Sequence, residues 1–120
     1  MERQKRTKRI LVVDDSRTVL KILSKGLESL GYEVITAEDG QEAQEVLEDI
    51  SFDLVLTDLN MPRVDGFELI EYLRSRPSWK DLPIVVLTSK GDKESMRRAL
   101  DLGANIYLNK PAPLPKLRYK

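Results

Sequence analysis

The chain has 120 residues and a mass of 13.8 kDa, enough for one hydrophobic core and one domain. Its composition, 41% hydrophobic and 33% charged, is typical of a folded globular protein and argues against intrinsic disorder. The net charge is zero, and the absence of cysteine and histidine excludes disulfides, thiolate or imidazole metal ligands and an imidazole general base. A metal bound to this chain would therefore be a hard cation with oxygen ligands.

The charges are unevenly distributed along the chain. Residues 1–9 carry a net charge of +4, residues 111–120 carry +3, and residues 10–110 carry −7. We interpret 1–9 as a basic N-terminal arm, 10–111 as the folded domain and 112–120 as a truncated or remodelled C-terminal segment. An acidic body with short basic ends favours neither a nucleic acid nor a membrane partner. No targeting segment follows the arm, so we expect a cytoplasmic location.

The first predicted elements are a strand and a helix. Four consecutive apolar residues at 10–13 predict a strand buried on both faces. A helix follows, with Ser16 as its N-cap and Gly31 as its terminating residue. Its predicted buried stripe consists of Val19, Leu20, Leu23, Leu27 and Leu30.

Three further helices alternate with four further strands. Apolar runs predict strands at 34–37, 54–57, 84–88 and 106–108, again buried on both faces. The helices between them are indicated by three stripes: Ala43, Val46, Leu47 and Ile50; Phe67, Ile70 and Leu73; Met96, Ala99 and Leu100, with Gly103 closing the last. Such alternation implies right-handed crossovers and a doubly wound parallel sheet, which is an α/β fold.

The segment after the fifth strand predicts an unusual end to the domain. Pro111, Pro113 and Pro115 interrupt any element that begins there, so a last helix is expected to be short or missing. The first helix alone would then cover one sheet face, and apolar side chains of strands one, three and five would meet water. We expect either a homodimer through that face or a marginally stable monomer.

Polar side chains follow four of the predicted strands. Asp14 and Asp15 follow the first strand, Asp58 the third and Lys110 the fifth, while Thr88 ends the fourth. Ligands of open parallel sheets bind outside the carboxyl ends of the strands, so these side chains are expected to form one site.

The residue types at this edge favour phosphoryl chemistry on a magnesium ion. Three neighbouring carboxylates repel each other unless a cation neutralises them, and Mg²⁺ takes carboxylate and phosphate oxygens. One carboxylate could attack a phosphoryl group, and Lys110 and Thr88 could contact its oxygens. The simpler alternative is a salt bridge from Lys110 to one aspartate, beside solvated carboxylates.

Four sequence motifs resemble those of one family. They are residues 10–15 (ILVVDD), 58–66 (DLNMPRVDG), 88–89 (TS) and 107–111 (YLNKP), each at the end of a predicted strand. The chain resembles the response-regulator receiver domains of bacterial two-component signalling over residues 8–111, and most of all the chemotaxis-type regulators. The resemblance implies a flavodoxin-like sheet of five parallel strands in the order 2-1-3-4-5.

The resemblance also implies a role for each site residue. Asp58 would be the phosphoacceptor, with Thr88 and Lys110 beside the phosphoryl group. Magnesium ligands would be Asp14 through water, Asp15 and Asp58 directly, and Asn60 through its backbone carbonyl. Thr88 and Tyr107 would form the switch. Pro62 and Gly66 would shape the loop after Asp58, Pro62 by fixing its own φ and Gly66 by admitting a backbone conformation that other residues avoid. The peptide between Lys110 and Pro111 is similar to one that the family keeps cis.

The implied function is that of a signalling domain, not of an enzyme with a separate substrate. It would accept a phosphoryl group from a histidine kinase or a histidine phosphotransfer domain, catalyse only its own phosphorylation and dephosphorylation, and signal to an output partner that the sequence does not name. The alternatives are a phosphorylation-independent interaction module and a receiver piece of a hybrid histidine kinase. A haloacid-dehalogenase-type phosphatase is disfavoured, because its nucleophile follows strand one in an Asp-x-Asp pattern.

Overall fold

The computed structural model describes residues 7–89 and 92–110, which form a five-stranded parallel sheet with helices on both faces. The strands are β1 (Arg9–Val13), β2 (Glu33–Ala37), β3 (Leu54–Thr57), β4 (Ile84–Thr88) and β5 (Ile106–Asn109). The helices are α1 (Arg17–Ser29), α2 (Gly40–Asp49), α3 (Gly66–Arg74) and α4 (Lys93–Leu102), with a 3-10 turn at Pro77–Trp79. The sheet order β2-β1-β3-β4-β5 confirms the predicted fold, and every strand lies within one residue of its predicted bounds.

Local capping sets where the helices begin and end. Each α-helix starts at a side-chain oxygen that accepts a backbone N–H of its first turn; the caps are Ser16, Asp39, Asp65 and Asp92. The predicted Ser16 cap and the predicted glycine ends are confirmed, since Gly31 and Gly103 have φ of +99° and +122°. All four helices therefore begin at the carboxyl edge of the sheet, where the candidate site lies.

Two apolar layers hold the helices to the sheet. One joins β1, β3 and β4 to α2, α3 and α4 through residues such as Leu11, Val55, Val86, Ile70 and Ala99. The other joins the opposite face of the same strands to α1; its buried members are Ile10, Val12, Leu20, Leu23, Leu27, Leu56, Val85 and Leu87. The three central strands are thus buried on both faces, as predicted.

Three details of the predicted packing are wrong. β2 and β5 are edge strands with half-exposed side chains, because each has only one neighbour in the sheet. Leu30 lies beyond the end of α1 and is 36% exposed. On α4, Met96 and Leu100 are exposed, whereas Ser95 and Ala99 are buried, since the smaller side chains one position away let the helix pack closely.

The prediction of a half-bare sheet face is also wrong for two strands. On the α1 side, Ile10 and Val12 of β1 and Leu56 of β3 are at most 6% exposed. The β3 side chain Leu54 and the β5 side chains Ile106 and Leu108 on this face are half-buried. The predicted short or missing last helix falls on residues 111–120, outside the described part of the chain. Dimerisation through this face stays a prediction.

The Arg74 guanidinium ties the end of α3 to the segment between α4 and β5. Its Nε donates to the Gly103 carbonyl at 3.0 Å, Nη1 to the Trp79 carbonyl at 2.7 Å and Nη2 to Asn105 Oδ1 at 2.9 Å. Asn105 Oδ1 also accepts from the Ile84 amide at 2.8 Å, where β4 begins. Arg74 therefore fixes the edge of the sheet opposite the candidate site.

Replacing Arg74 by methionine should lower the free energy of unfolding by about 2–4 kcal/mol, because three acceptors lose their donor. Urea unfolding measures this. Arg97→Met, at an exposed position of α4, is the matched control and should change stability by less than about 0.5 kcal/mol. Equal stability of the two variants would contradict the role given to Arg74.

Candidate functional site

The sheet ladder brings the polar strand ends together. The Asp14 amide donates to the Ala37 carbonyl at 3.1 Å, and the Asp58 amide donates to the Val13 carbonyl at 2.9 Å. The Lys110 amide donates to the Thr88 carbonyl at 2.9 Å. Parallel pairing thus continues one residue past β1, β3 and β5, and it places these side chains at one edge.

Three carboxylates form the centre of the site. Asp14, Asp15 and Asp58 each offer an oxygen, and these atoms lie within 4.8 Å of one another. Asp14 and Asp58 are buried, at 2% and 7% exposure, while Asp15 is exposed. Two ionised groups are therefore held out of water beside a third, and this arrangement requires positive charge nearby.

Lys110 supplies that charge from β5. Its Nζ lies 2.5 Å from Asp14 Oδ2 and 3.3 Å from Asp58 Oδ2, so one ammonium bridges two buried carboxylates. Burial alone would lower the pKa of Lys110, but the hydrogen bond to Asp14 and the charge of Asp58 raise it above its ordinary value. The simpler alternative, one salt bridge beside solvated carboxylates, does not describe this geometry.

Backbone amides fix the orientation of both buried carboxylates. Asp14 Oδ1 accepts from the Ser16 amide at 2.9 Å, at the start of α1. Asp58 Oδ1 accepts from the Leu59 amide at 2.7 Å. Each carboxylate thus has one oxygen on the backbone and the other on Lys110, which holds both side chains in one conformation.

The loop after Asp58 is closed by Gly66. The Gly66 amide donates to the Leu59 carbonyl at 2.9 Å, and a Cβ atom on Gly66 would lie 2.2 Å from the Asp58 carbonyl oxygen. Among the described glycines, those with a positive φ are Gly31 and Gly103. Gly66 is therefore required because no side chain fits there, and the expected reason, an unusual backbone conformation, is wrong. Asn60 is exposed in this loop, and its ligand role stays a prediction.

The two predicted switch residues lie on neighbouring strands beside the carboxylates. Thr88 is fully buried at the end of β4. Tyr107 is half-buried on the edge strand β5. Burial raises the pKa of the Tyr107 hydroxyl, and the charges of Asp92 and Asp58 raise it further. The side chain therefore lies within electrostatic reach of the acidic centre. Pro111 lies outside the described residues, and so does the peptide predicted to be cis.

One contact of the site loop was not predicted from the sequence. Arg63, five residues after Asp58, forms an ion pair with Asp39 at the start of α2; Nε and Nη2 lie 2.8 and 2.7 Å from Asp39 Oδ2. The Asp39-Gly40-x-Glu42 pattern could have indicated a helix start, because an aspartate cap is common there. No pattern indicates the partner of Arg63, since the two residues meet only in the folded chain.

The donor set fits a hard divalent cation. All the candidate ligand atoms are oxygens, two of the three carboxylates are already oriented, and the exposed Asp15 leaves one side open to water. Magnesium is bound in this way, by one or two carboxylates together with waters and phosphate oxygens. The cluster is therefore a candidate magnesium site.

Comparison with known proteins defines the family. The family model of the response regulator receiver domain matches residues 10–120, and the chain belongs to this family. It is 41% identical over 105 residues to chemotaxis protein CheY1 of Helicobacter pylori, which covers 86% of this chain and 85% of that protein. It is also 40% identical over 102 residues to a gliding motility regulatory protein of Myxococcus xanthus, covering 85% of this chain but 13% of that protein.

A solved structure agrees with the fold. The phosphorylated cyanobacterial phytochrome response regulator RcpA superposes with a TM-score of 0.83 at 32% identity, covering 93% of this chain and 86% of that one. The described residues contain no helix long and apolar enough to cross a membrane. The cytoplasmic location stays a prediction from the sequence.

Magnesium should stabilise the folded chain, because only the folded state brings the three carboxylates together. At a concentration ten times the dissociation constant the gain is about 1.4 kcal/mol. Urea unfolding with and without MgCl₂, at ionic strength matched with NaCl, measures it. Asp15→Asn should lose most of the gain, and Asp49→Asn, on an exposed residue at the end of α2, should keep it. An undiminished gain in Asp15→Asn would contradict the site.

Proposed function

We propose that this receiver domain accepts a phosphoryl group on Asp58 from a phosphohistidine of a kinase or a histidine phosphotransfer domain. The observation that carries the proposal is the sharing of one lysine by two buried carboxylates, with a third carboxylate beside them. This arrangement offers a nucleophile, a cation for the phosphoryl oxygens and a set of metal ligands within one site. The whole protein's partners, output and possible further domains are part of the proposal.

In the proposed reaction an Asp58 carboxylate oxygen attacks phosphorus, a P–O bond forms, and the P–N bond to the donor histidine breaks. The electron pair of that bond returns to the imidazole nitrogen. A bound magnesium ion would supply positive charge to the phosphoryl oxygens and to the carboxylates. Asp14, Asp15, Asp58 and the Asn60 carbonyl would hold it, with Asp14 acting through water.

The chain's own residues prepare each step. The Leu59 amide holds one oxygen of Asp58 and so orients the carboxylate. Lys110, 3.3 Å from the other oxygen, can move onto a phosphoryl oxygen without leaving the site. Thr88 would donate its hydroxyl to another phosphoryl oxygen. Water attack on the acyl phosphate would later restore Asp58, so the domain turns over no substrate apart from its own phosphoryl group.

Incubation with acetyl phosphate and Mg²⁺ should add the mass of one phosphoryl group to the chain, and peptide mapping should place it on Asp58. Asp58→Asn should gain none, because an amide is not nucleophilic here. Asp65→Asn, seven residues along the same loop, should be modified like the wild type. Phosphorylation of Asp58→Asn would overturn the assignment, whereas a wild-type chain that takes up none would favour the phosphorylation-independent interaction module.

Phosphorylation should shift a two-state equilibrium through Thr88 and Tyr107, because a hydroxyl drawn toward the phosphoryl group frees space beside the tyrosine ring. Amide chemical shifts in the presence of beryllofluoride, a phosphoryl mimic, should then change across residues 88–110. Thr88→Ala should bind the mimic but lose those distant changes. Changes confined to residues 58–66 in the wild-type chain would contradict the proposed switch.

A further inference from the structure

The loop between β3 and α3 contains a strained arginine. Arg63 has φ of +67°, and it is the one residue other than glycine with a positive φ in the described ranges 7–89 and 92–110. An arginine side chain disfavours this left-handed conformation, because Cβ crowds the backbone there. Such strain persists only where surrounding contacts hold it.

Two consecutive loop residues are fastened to the start of α2. The Arg63 guanidinium lies 2.7–2.8 Å from Asp39 Oδ2. The next residue, Val64, accepts a hydrogen bond from the Gly40 amide at 3.0 Å, and a Cβ atom on Gly40 would lie 2.3 Å from that carbonyl oxygen. The loop therefore approaches α2 so closely that only glycine fits at position 40.

Asp39 is well prepared to hold Arg63. It is 7% exposed, and its other oxygen caps α2 by accepting from the Glu42 amide at 2.8 Å. Burial alone would raise the pKa of Asp39, but the bonds from the Glu42 amide and from Arg63 hold it below its ordinary value. The carboxylate is thus fixed by the helix before it meets the arginine.

The fastened segment is short and begins at the acidic centre. Asp58 starts the loop, and the Leu59–Gly66 hydrogen bond closes it. The stretch between Leu59, at the start of this closure, and the ion-paired Arg63 consists of residues 60–62. Both ends of this three-residue stretch are fixed, so its backbone, with the Asn60 carbonyl, has little freedom to move.

We propose that Arg63 is a positioning residue: its ion pair with Asp39 holds the 58–66 loop in the conformation in which the Asn60 carbonyl and the Asp58 carboxylate accept Mg²⁺. This inference rests on the proposed function, because it assumes that Mg²⁺ binds at the carboxylates.

Charge and position predict opposite effects of removing Arg63. If the arginine acted only through its charge, its loss would increase the affinity for Mg²⁺, because one cation would no longer repel the other. If it holds the loop, its loss weakens Mg²⁺ binding. The sign of the change therefore separates the two roles.

The dissociation constant of Mg²⁺, measured by calorimetry, should rise about tenfold in Arg63→Gln, as is usual when a residue that orients a metal ligand is lost. The matched control is Arg17→Gln, which removes the exposed ion pair from Arg17 Nε to Glu38 Oε2, 3.0 Å long, near the same edge. It should leave Mg²⁺ affinity unchanged. The double variant Arg63→Gln/Asp39→Asn should bind Mg²⁺ about as weakly as Arg63→Gln alone, because both changes remove the same interaction.

Saturating Mg²⁺ should restore acetyl phosphate uptake in Arg63→Gln, because only the affinity is changed. If Arg63→Gln does not fold, Arg63→Lys replaces it, and a weakening about half as large on a logarithmic scale is expected. Unchanged or tighter Mg²⁺ binding in the folded variant would overturn the role of Arg63. A wild-type chain that binds no Mg²⁺ would instead overturn the proposed function itself.

Discussion

The rest of the site depends on one shared cation. Lys110 reaches from an edge strand across β4 to carboxylates that follow β1 and β3, and both carboxylates are buried. Without it, two negative charges would face each other out of water beside a third, which is a costly arrangement. The pKa of Lys110 is higher in the folded chain than in the unfolded chain. Its contribution to stability is therefore complete at a pH below its unfolded-state pKa and is lost as the pH rises through its folded-state pKa.

The topology of the sheet places these charges together at one edge. A parallel sheet places every strand end with the same polarity at one edge, and the order β2-β1-β3-β4-β5 puts Asp14, Asp58, Thr88 and Lys110 on four adjacent strands. Among the described residues the charge balance is incomplete, since the Lys110 ammonium accompanies three carboxylates. A site with this residual negative charge favours a divalent cation, and the bound cation with Lys110 then favours a phosphoryl group.

The sequence predicted the elements and the convergence well, because both follow from local pattern and from chain topology. Val and Ile runs determine strands, Ser16 and Gly31 mark the ends of α1, and parallel strands must bring their carboxyl ends together. The failures have a different origin. Met96 and Leu100 are four positions apart on α4, and so are Ser95 and Ala99, so both pairs have the spacing of a buried helical stripe. Only the packing of α4 in the fold determines that Ser95 and Ala99 are the buried pair.

Arg63 and Gly66 show the other limit of sequence analysis. The partner of Arg63 lies 24 positions away in the sequence. Gly66 is required because a Cβ atom at this position would lie 2.2 Å from the Asp58 carbonyl oxygen. Neither relation has a periodicity or a spacing that a single sequence displays. Both belong to the loop that follows Asp58, whose conformation depends on tertiary contacts more than on local propensity.

The central claim, that Lys110 holds the two buried carboxylates together, is tested most directly by a double-mutant cycle on unfolding free energy with Lys110→Met and Asp14→Asn. Without Mg²⁺ the coupling energy should be about 2–3 kcal/mol, below the value for a fully buried pair because the lysine is partly exposed. Saturating Mg²⁺ should stabilise Lys110→Met more than the wild type, since the ion replaces the lost charge. A coupling energy near zero, or equal stabilisation of both chains by Mg²⁺, would contradict the account.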